Sequence, residues 1–434
     1  MKTSRTSRFV LFFGSLGGSL GSLVLAAGCS GDESACDRTV AGNICTIAGN
    51  GENGYSGEGG PALEARFSLP MDTLAAPDGS LYVVDWNNHR IRKLTSDGVI
   101  HFIVGNGELG GSVDDPATGD FNHPTGIIFD PTGARIYISA WHNSEVLTLD
   151  PTTGTLDKSC GDGRRAYFGD ESEAATSSLN LPASIAWDPQ NNLVIMDQAN
   201  QVIRKVDAMG KIHRIAGQCV VDAAPPGGPG KCTSGATPMA CPGSSNVTTC
   251  GDPALWCATA CTPSYGGDDG PALEMRMAQQ FGQAADPGGR IVYDKQGNLY
   301  FADVSNNLIR MIDPQGIVHR VAGLPPQNGM AQSGYSGDNG PALEAALNHP
   351  VDLALADDGT LYFTDVYNHC VRAIAPDKTI RTVAGVCGMK GYDGDGKPAT
   401  AALLNRPYGV EWAAPNTLYI ADTGNSVIRA VHLP

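Results

Sequence analysis

Tyr82-Val83-Val84-Asp85, then Asn88, then Ile91-Arg92; far along the chain, Tyr419-Ile420-Ala421-Asp422, then Asn425, then Ile428-Arg429. An apolar strand that usually ends in Asp, a polar loop with a fixed Asn, and an Ile-Arg or equivalent start to the next strand recur six times. Aligned on the strand-end residue, the units fall at Asp85, Ala140, Asp197, Asp303, Asp365 and Asp422, at intervals of 55, 57, 106, 62 and 57 residues. A unit this short cannot bury its own hydrophobic face, so neighbours must stack and the repeat dictates the architecture. The long interval holds an ordinary unit plus a Cys-rich segment, residues 218–263.

The same punctuation recurs inside each unit. A Pro (Leu69-Pro70, His123-Pro124, Leu181-Pro182, His349-Pro350, Arg406-Pro407) leads into an apolar strand, and a turn such as Pro77-Asp78-Gly79 follows. A second strand, the polar loop and the Ile-Arg strand come next, and a fourth strand ends in Ala-Gly, as at Ala216-Gly217 and Ala384-Gly385. Short alternating strands joined by Gly, Asp and Pro turns predict four-stranded antiparallel sheets. Four strands in each of six repeats predict an all-β, six-bladed β-propeller spanning residues 44–434. The last unit carries only three strands, and Ile44-Cys45-Thr46-Ile47-Ala48-Gly49 reads as an orphan fourth one. This N-terminal strand is expected to complete the last blade and so remove an exposed sheet edge.

The linkers Gly54-Tyr55-Ser56-Gly57-Glu58-Gly59-Gly60-Pro61-Ala62 and Gly334-Tyr335-Ser336-Gly337-Asp338-Asn339-Gly340-Pro341-Ala342 resemble those of bacterial NHL-repeat proteins, as does the closing phrase 419–429. The resemblance runs from Ile44 to Pro434 outside the Cys-rich insertion. It implies a six-bladed propeller of a family known chiefly for binding, with a minority of enzymes that include peptide-amidating lyases.

Lys2, Arg5 and Arg8 precede an apolar stretch from Phe9 to Ala27, the pattern of a secretory signal (residues 1–28). Its end, Leu25-Ala26-Ala27-Gly28-Cys29, resembles a bacterial lipobox, which implies lipidation of Cys29 and a tether over residues 29–43. An exported protein, anchored by lipid to the outer membrane or cell surface and otherwise a monomer free of the membrane, is the expectation. A formal net charge of −16 excludes nucleic acid as a partner, since that demands a basic face. Twelve cysteines in an exported chain predict disulfides. Cys36–Cys45 and Cys370–Cys387 are plausible pairs, Cys219, Cys232, Cys241, Cys250, Cys257 and Cys261 form a local three-bridge staple, and Cys160 is left over.

Five of the six units pair the strand-end Asp with an Arg seven residues on: Asp85–Arg92, Asp197–Arg204, Asp303–Arg310, Asp365–Arg372 and Asp422–Arg429. The second unit has Ala140 and Leu147, losing both charges together. Joint loss marks a structural bridge, because removing one partner would strand the other's charge. The linker acids Glu58, Asp170, Asp268, Asp338 and Asp395, with Asp114 roughly equivalent, read as caps of a short Pro-led helix. Asp393-Gly394-Asp395-Gly396 lacks the Glu that would close a calcium loop.

Function is expected where the repeats differ, at the face surrounding the channel mouth. The residue before the Pro is Leu69, His123, Leu181, Pro287, His349 or Arg406; two beyond the Pro stand Asp72, Gly126, Ser184, Arg290, Asp352 and Gly409. Neighbouring loops add Trp86, His89, Trp141, His142, Tyr367 and His369. From these, His123, His349, Arg406, Asp72, Asp352, Trp86, Trp141 and Tyr367 form the candidate ligand site. The leading expectation is a binding or scaffolding module for a protein, peptide or glycan at the cell envelope, with no cofactor. The alternative is a metal-dependent lyase or hydrolase with a metal on the opposed His123 and His349, aided by Asp72, Asp352, Arg290 and Arg406. No third His stands at an equivalent position, although the lyases that the resemblance suggests use three. A third reading makes the Cys-rich insertion the recognition element.

Overall fold

The computed structural model describes residues 36–110, 121–220, 238–240, 248–250, 261–281 and 285–433. Residues 1–28, the lipidation position Cys29, Asp114, and Cys232, Cys241 and Cys257 lie outside them. Among the described residues there are six four-stranded sheets, five with their strands in sequential order and the last with the first strand of the chain at its edge. The first blade is Pro70–Ala75, Leu81–Asp85, Arg90–Leu94 and Ile100–Val104; the fifth is Pro350–Leu355, Leu361–Asp365, Cys370–Ile374 and Ile380–Ala384. The sixth combines Gly409–Ala413, Thr417–Asp422 and Val427–His432 with Ile44–Ala48, whose Ile44 pairs with Val431 and Cys45 with Ala430. The strand from the beginning of the propeller thus closes the ring. The Cys36–Cys45 disulfide fastens the segment leading into that strand.

Each seam between blades has its own apolar cluster. Ile309, Leu347, Leu353, Phe363 and Ile374 fill the junction of blades four and five. Ile47, Phe67, Val83 and Ile428 do the same where blade six meets blade one. Fully burying one such side chain stabilises by about 1.5–3 kcal/mol, so stability is distributed seam by seam. Cys370–Cys387 ties the third strand of blade five to the linker that follows the blade, and Cys219–Cys261 closes the base of the insertion. Within the insertion, Pro238–Ala240 pairs with Thr248–Cys250. Cys160 is buried and free.

The linker helices are single 3₁₀ turns, for example Ala342–Glu344, and no side chain caps them. They nest against the preceding linker so closely that a Cβ on Gly337, at φ +88°, would stand 2.7 Å from the Cα of Ala345. This is why Gly recurs there.

Candidate functional site: the mouth of the channel

The strand-end Asp, its Arg and the linker acid form one assembly in five blades. In blade five, fully buried Arg372 lies 3.4 Å from Asp365 Oδ2 and 2.6 Å from Asp338 Oδ1, and donates to the carbonyls of Ala346 and Ser336 at 3.1 and 2.8 Å. Tyr335 covers its guanidinium at 5.1 Å. Arg92, Arg204, Arg310 and Arg429 meet Asp85, Asp197, Asp303 and Asp422 at 3.3, 3.4, 3.2 and 3.8 Å. They meet Glu58, Asp170, Asp268 and Asp395 at 2.7, 2.8, 2.6 and 2.7 Å. The expected capping role of the linker acids is therefore corrected: they neutralise the Arg, whose fork reaches across to the linker. The strand-end Asp also accepts from the fixed Asn, as Asp85 does from Asn88 at 2.8 Å. Blade two substitutes a different device, with buried Glu145 2.6 Å from Lys158.

Above this frame, the residues before the Pro hold left-handed backbones: Leu69, His123, Leu181, His349 and Arg406 have φ of 49–63°. Three of their N–H groups are anchored by the neighbouring blade. His89 Nδ1 accepts from His123 N at 3.1 Å, Asn307 Oδ1 from His349 N at 2.8 Å, and His369 Nδ1 from Arg406 N at 3.1 Å. His89 and His369 are thus neutral stitches between blades, and burial holds both below the ordinary imidazole pKa.

His123 and His349 sit in separate surroundings. His123 stands among Trp86, His89 and His142, with ring centroids 4.2, 4.4 and 4.8 Å away, and burial beside the other two imidazoles lowers its pKa to about 3. His349 stacks on Tyr367 at 4.3 Å, is only 4% exposed, and is lowered to about 4 by burial. Its Nε2 lies 3.9 Å from Asp286 without a hydrogen bond. Among the described residues, no three His, Cys, Asp or Glu converge in a way that could hold a metal ion. Trp141 is fully buried, stacked on His142 and donating Nε1 to Gln198 at 3.0 Å, so it packs a seam and presents no surface to a ligand.

Asp72 and Asp352 are also buried, at the waist of the channel. Arg290 of blade four spans it, reaching Asp72 Oδ1 at 2.5 Å and Asp352 Oδ2 at 3.2 Å. The other Asp72 oxygen accepts from Ile127 N at 3.1 Å, while Asp352 Oδ2 also accepts from Val410 N at 2.9 Å, joining each to the next blade. These carboxylates brace the ring. Burial, reinforced by Asp352, raises Asp72 to about 6 against the opposing pull of Arg290. Below the waist lies a chamber of about 360 Å³ lined by Leu74, Ile127, Ile185, Val292 and Leu353, with Glu411 on its wall. Burial and the charge of Asp72 push Glu411 up to about 8.

Above the waist, a cleft of about 470 Å³ opens between blades six and one, bordered by Trp86, Asp286, His369, Lys390, Arg406 and Tyr408. The Arg406 guanidinium lies 5.0 Å over Tyr367, whose hydroxyl donates to Asp286 Oδ2 at 2.7 Å. The structure therefore brings Trp86, Arg406 and Tyr367 to one cleft or its border; Trp141 lies behind Trp86 at 6.4 Å, buried, and Asp72 and Asp352 are tied up with Arg290. Sequence reading missed Lys390 and Asp286. Lys390 belongs to a linker of variable length, and Asp286 precedes the irregular first strand of blade four, so repeat alignment reaches neither.

The model of the Teneurin NHL domain matches residues 44–235. The chain is 26% identical over 379 residues to Protein SUPPRESSOR OF QUENCHING 1, chloroplastic, of Arabidopsis thaliana, covering 86% of this chain and 30% of that protein. It is 24% identical over 425 residues to Teneurin-1 of Gallus gallus, covering 89% of this chain and 13% of that protein. The chain thus spans a minor part of these relatives. Among solved structures, a Bacteroides thetaiotaomicron protein of unknown function aligns with a TM-score of 0.60 at 16% identity, over 90% of this chain and 75% of the other. An auxiliary nutrient binding protein of the same species aligns at 0.56 and 14%, over 89% and 75%. At such identities the likeness concerns the fold. This chain is a six-bladed β-propeller, and an NHL-domain model describes its first half.

Proposed function

We propose that the protein is an exported, lipid-anchored propeller that acts as a binding or scaffolding module for a protein, peptide or glycan at the cell envelope. The observation that carries this reading is the mouth cleft: an aromatic surface with unspent charged groups, set on a ring whose repeated Asp and Arg residues satisfy one another. Small-molecule and peptide sites combine these features. Three disulfides among the described residues fit an oxidising, extracytoplasmic compartment. No helix among the described residues is long and apolar enough to cross a membrane. Membrane attachment in this reading comes from Cys29. The fold-level likeness to a protein described as an auxiliary nutrient binding protein agrees with a binding role.

Probing the full chain on glycan and peptide arrays tests the proposal. It predicts a restricted set of ligands that Arg406→Ala loses with the melting temperature kept, and that Trp86→Ala also loses although removing its packed indole lowers the melting temperature. An empty array, or ligands retained by both variants, would contradict it. Mass-spectrometric detection of the mature N-terminus decides the anchor: acylated Cys29 is expected, and an unmodified terminus there would sink that part alone.

A further inference from the structure

The chemistry of the mouth cleft narrows the ligand, and this step rests on the binding reading above. We infer that the cleft receives a small carboxylate whose ring lies against Trp86, with the anionic group held between Arg406 and Lys390.

Charge is the first argument. The chain carries 45 acidic and 29 basic side chains. The five repeated arginines and Arg290 are all spent on ion pairs. Arg406 and Lys390 converge on one cleft, are both exposed, and neither pairs with a carboxylate among the described residues. An anion entering there would meet a local field opposite to that of the whole molecule, which favours selectivity over general attraction.

Both cations are also held in place. The Arg406 backbone is left-handed, its N–H is fixed by His369 Nδ1, and its guanidinium rests over Tyr367. Lys390 sits in a segment clamped by the Cys370–Cys387 disulfide, by Gly388 N donating to the Asn368 carbonyl at 2.7 Å, and by Gly391 N donating to the Leu404 carbonyl at 3.1 Å. Groups already ordered lose less freedom on binding. A planar guanidinium matches a carboxylate with two parallel hydrogen bonds, and the ammonium adds a point charge.

The remaining walls set the rest of the ligand. The partly buried Trp86 indole borders the cleft and supplies an apolar aromatic wall. On the same border Asp286 accepts from Tyr367, the ring beneath Arg406, and would repel a second carboxylate. Two cations beside one acid favour a ligand with a single carboxylate and an otherwise neutral ring. The cleft's volume suits a monosaccharide acid or an acylated amino acid.

Calorimetric titration of the full chain with two matched pairs tests this: glucuronate against glucuronamide, and N-acetylphenylalanine against its amide. The expected result is saturable binding of one acid, with its neutral partner at least about tenfold weaker. Replacing Arg406 or Lys390 by Ala should weaken the acid by about tenfold or more, as loss of a charged hydrogen bond does. Arg406→Lys should restore part of the affinity, and melting temperatures should stay within a degree or two of wild type. Whichever pair responds distinguishes a sugar acid from a peptide-like carboxylate. Equal binding of acid and amide, survival of binding in both Ala variants, or no binding by either acid overturns the inference. If the arrays yield neutral ligands dependent on Trp86, the carboxylate inference fails and the binding module stands; if they yield none, both fail.

Discussion

Arg372 illustrates how far a single side chain organises a blade. It lies fully buried between Asp365 and Asp338 under the ring of Tyr335. Arg372→Leu is expected to destabilise by about 3–5 kcal/mol in chemical denaturation, because two buried or half-buried carboxylates lose their counter-charge. Combining it with Asp365→Ala copies the Ala140 and Leu147 arrangement of blade two. The pair should then cost at least about 1 kcal/mol less than the sum of the single changes. A strictly additive double mutant would refute the bridge. This pairing was legible in the sequence because one repeat lacks both members. The second acid was assigned wrongly, because spacing along a chain does not show that a linker folds back over strand three. Tyr335 and its counterparts Tyr55, Tyr167, Tyr265 and Tyr392 were visible as linker residues, yet nothing in their spacing announced a ring stacked on a cation.

His349 gives a second test at the same scale. Its folded pKa of about 4 lies below the ordinary value near 6.5, so it is neutral in the native state at pH 7. A depressed base gives stability that is fully present above about pH 6.5 and lost as pH falls toward 4, by up to about 1.4 kcal/mol per pH unit. His349→Phe keeps the stack on Tyr367 and removes the proton site. Between pH 6.5 and 4, the wild type should lose stability relative to this variant in paired thermal melts. Taking the difference cancels the buried acids, whose raised pKa values act in the opposite sense. The reverse trend would mean that His349 is protonated against Asp286.

At the level of elements, the clearest consequence concerns the closing strand. Ile44–Ala48 pairs with Val427–His432, and Cys36–Cys45 limits how far the segment can peel away. By chain entropy a loop this short contributes about 2–3 kcal/mol. Replacing both cysteines by Ser should lower stability by about that amount and raise hydrogen exchange first in Ile44–Ala48 and Val427–His432. Uniform exchange through all blades would argue against a ring latched at blade six. The strand, the closure and two of the disulfides were readable because a missing fourth strand at one end matches an orphan at the other. The mouth was only half readable. Five positions preceding the Pro share one left-handed backbone, but their chemistry depends on which loop of the neighbouring blade reaches over. That is how His89 and His369 became stitches and Trp141 became a seam residue.

Over the whole molecule the channel is divided in two by Arg290 and its two aspartates. Glu411, in the lower chamber, lies close enough to Asp72 for charge repulsion to add to the effect of burial. Its folded pKa near 8 lies above the ordinary carboxylate value, so its contribution to stability is present at low pH and lost as pH rises through 8. Glu411→Gln imitates the protonated form. It should match the wild type in melting temperature near pH 6 and exceed it near pH 9. A variant equally destabilised at both values would show that the carboxylate is ionised and needed.

The propeller supplies a rigid, self-satisfied ring, and the exceptions to its repeat supply the recognition surface. Hydrogen exchange of the full chain, with and without a ligand selected on the arrays, tests that claim most directly. The account predicts protection confined to residues 86–89, 285–290, 387–391 and 405–408, which border the mouth cleft. Protection centred on the outer strands, or within 218–263, would contradict it.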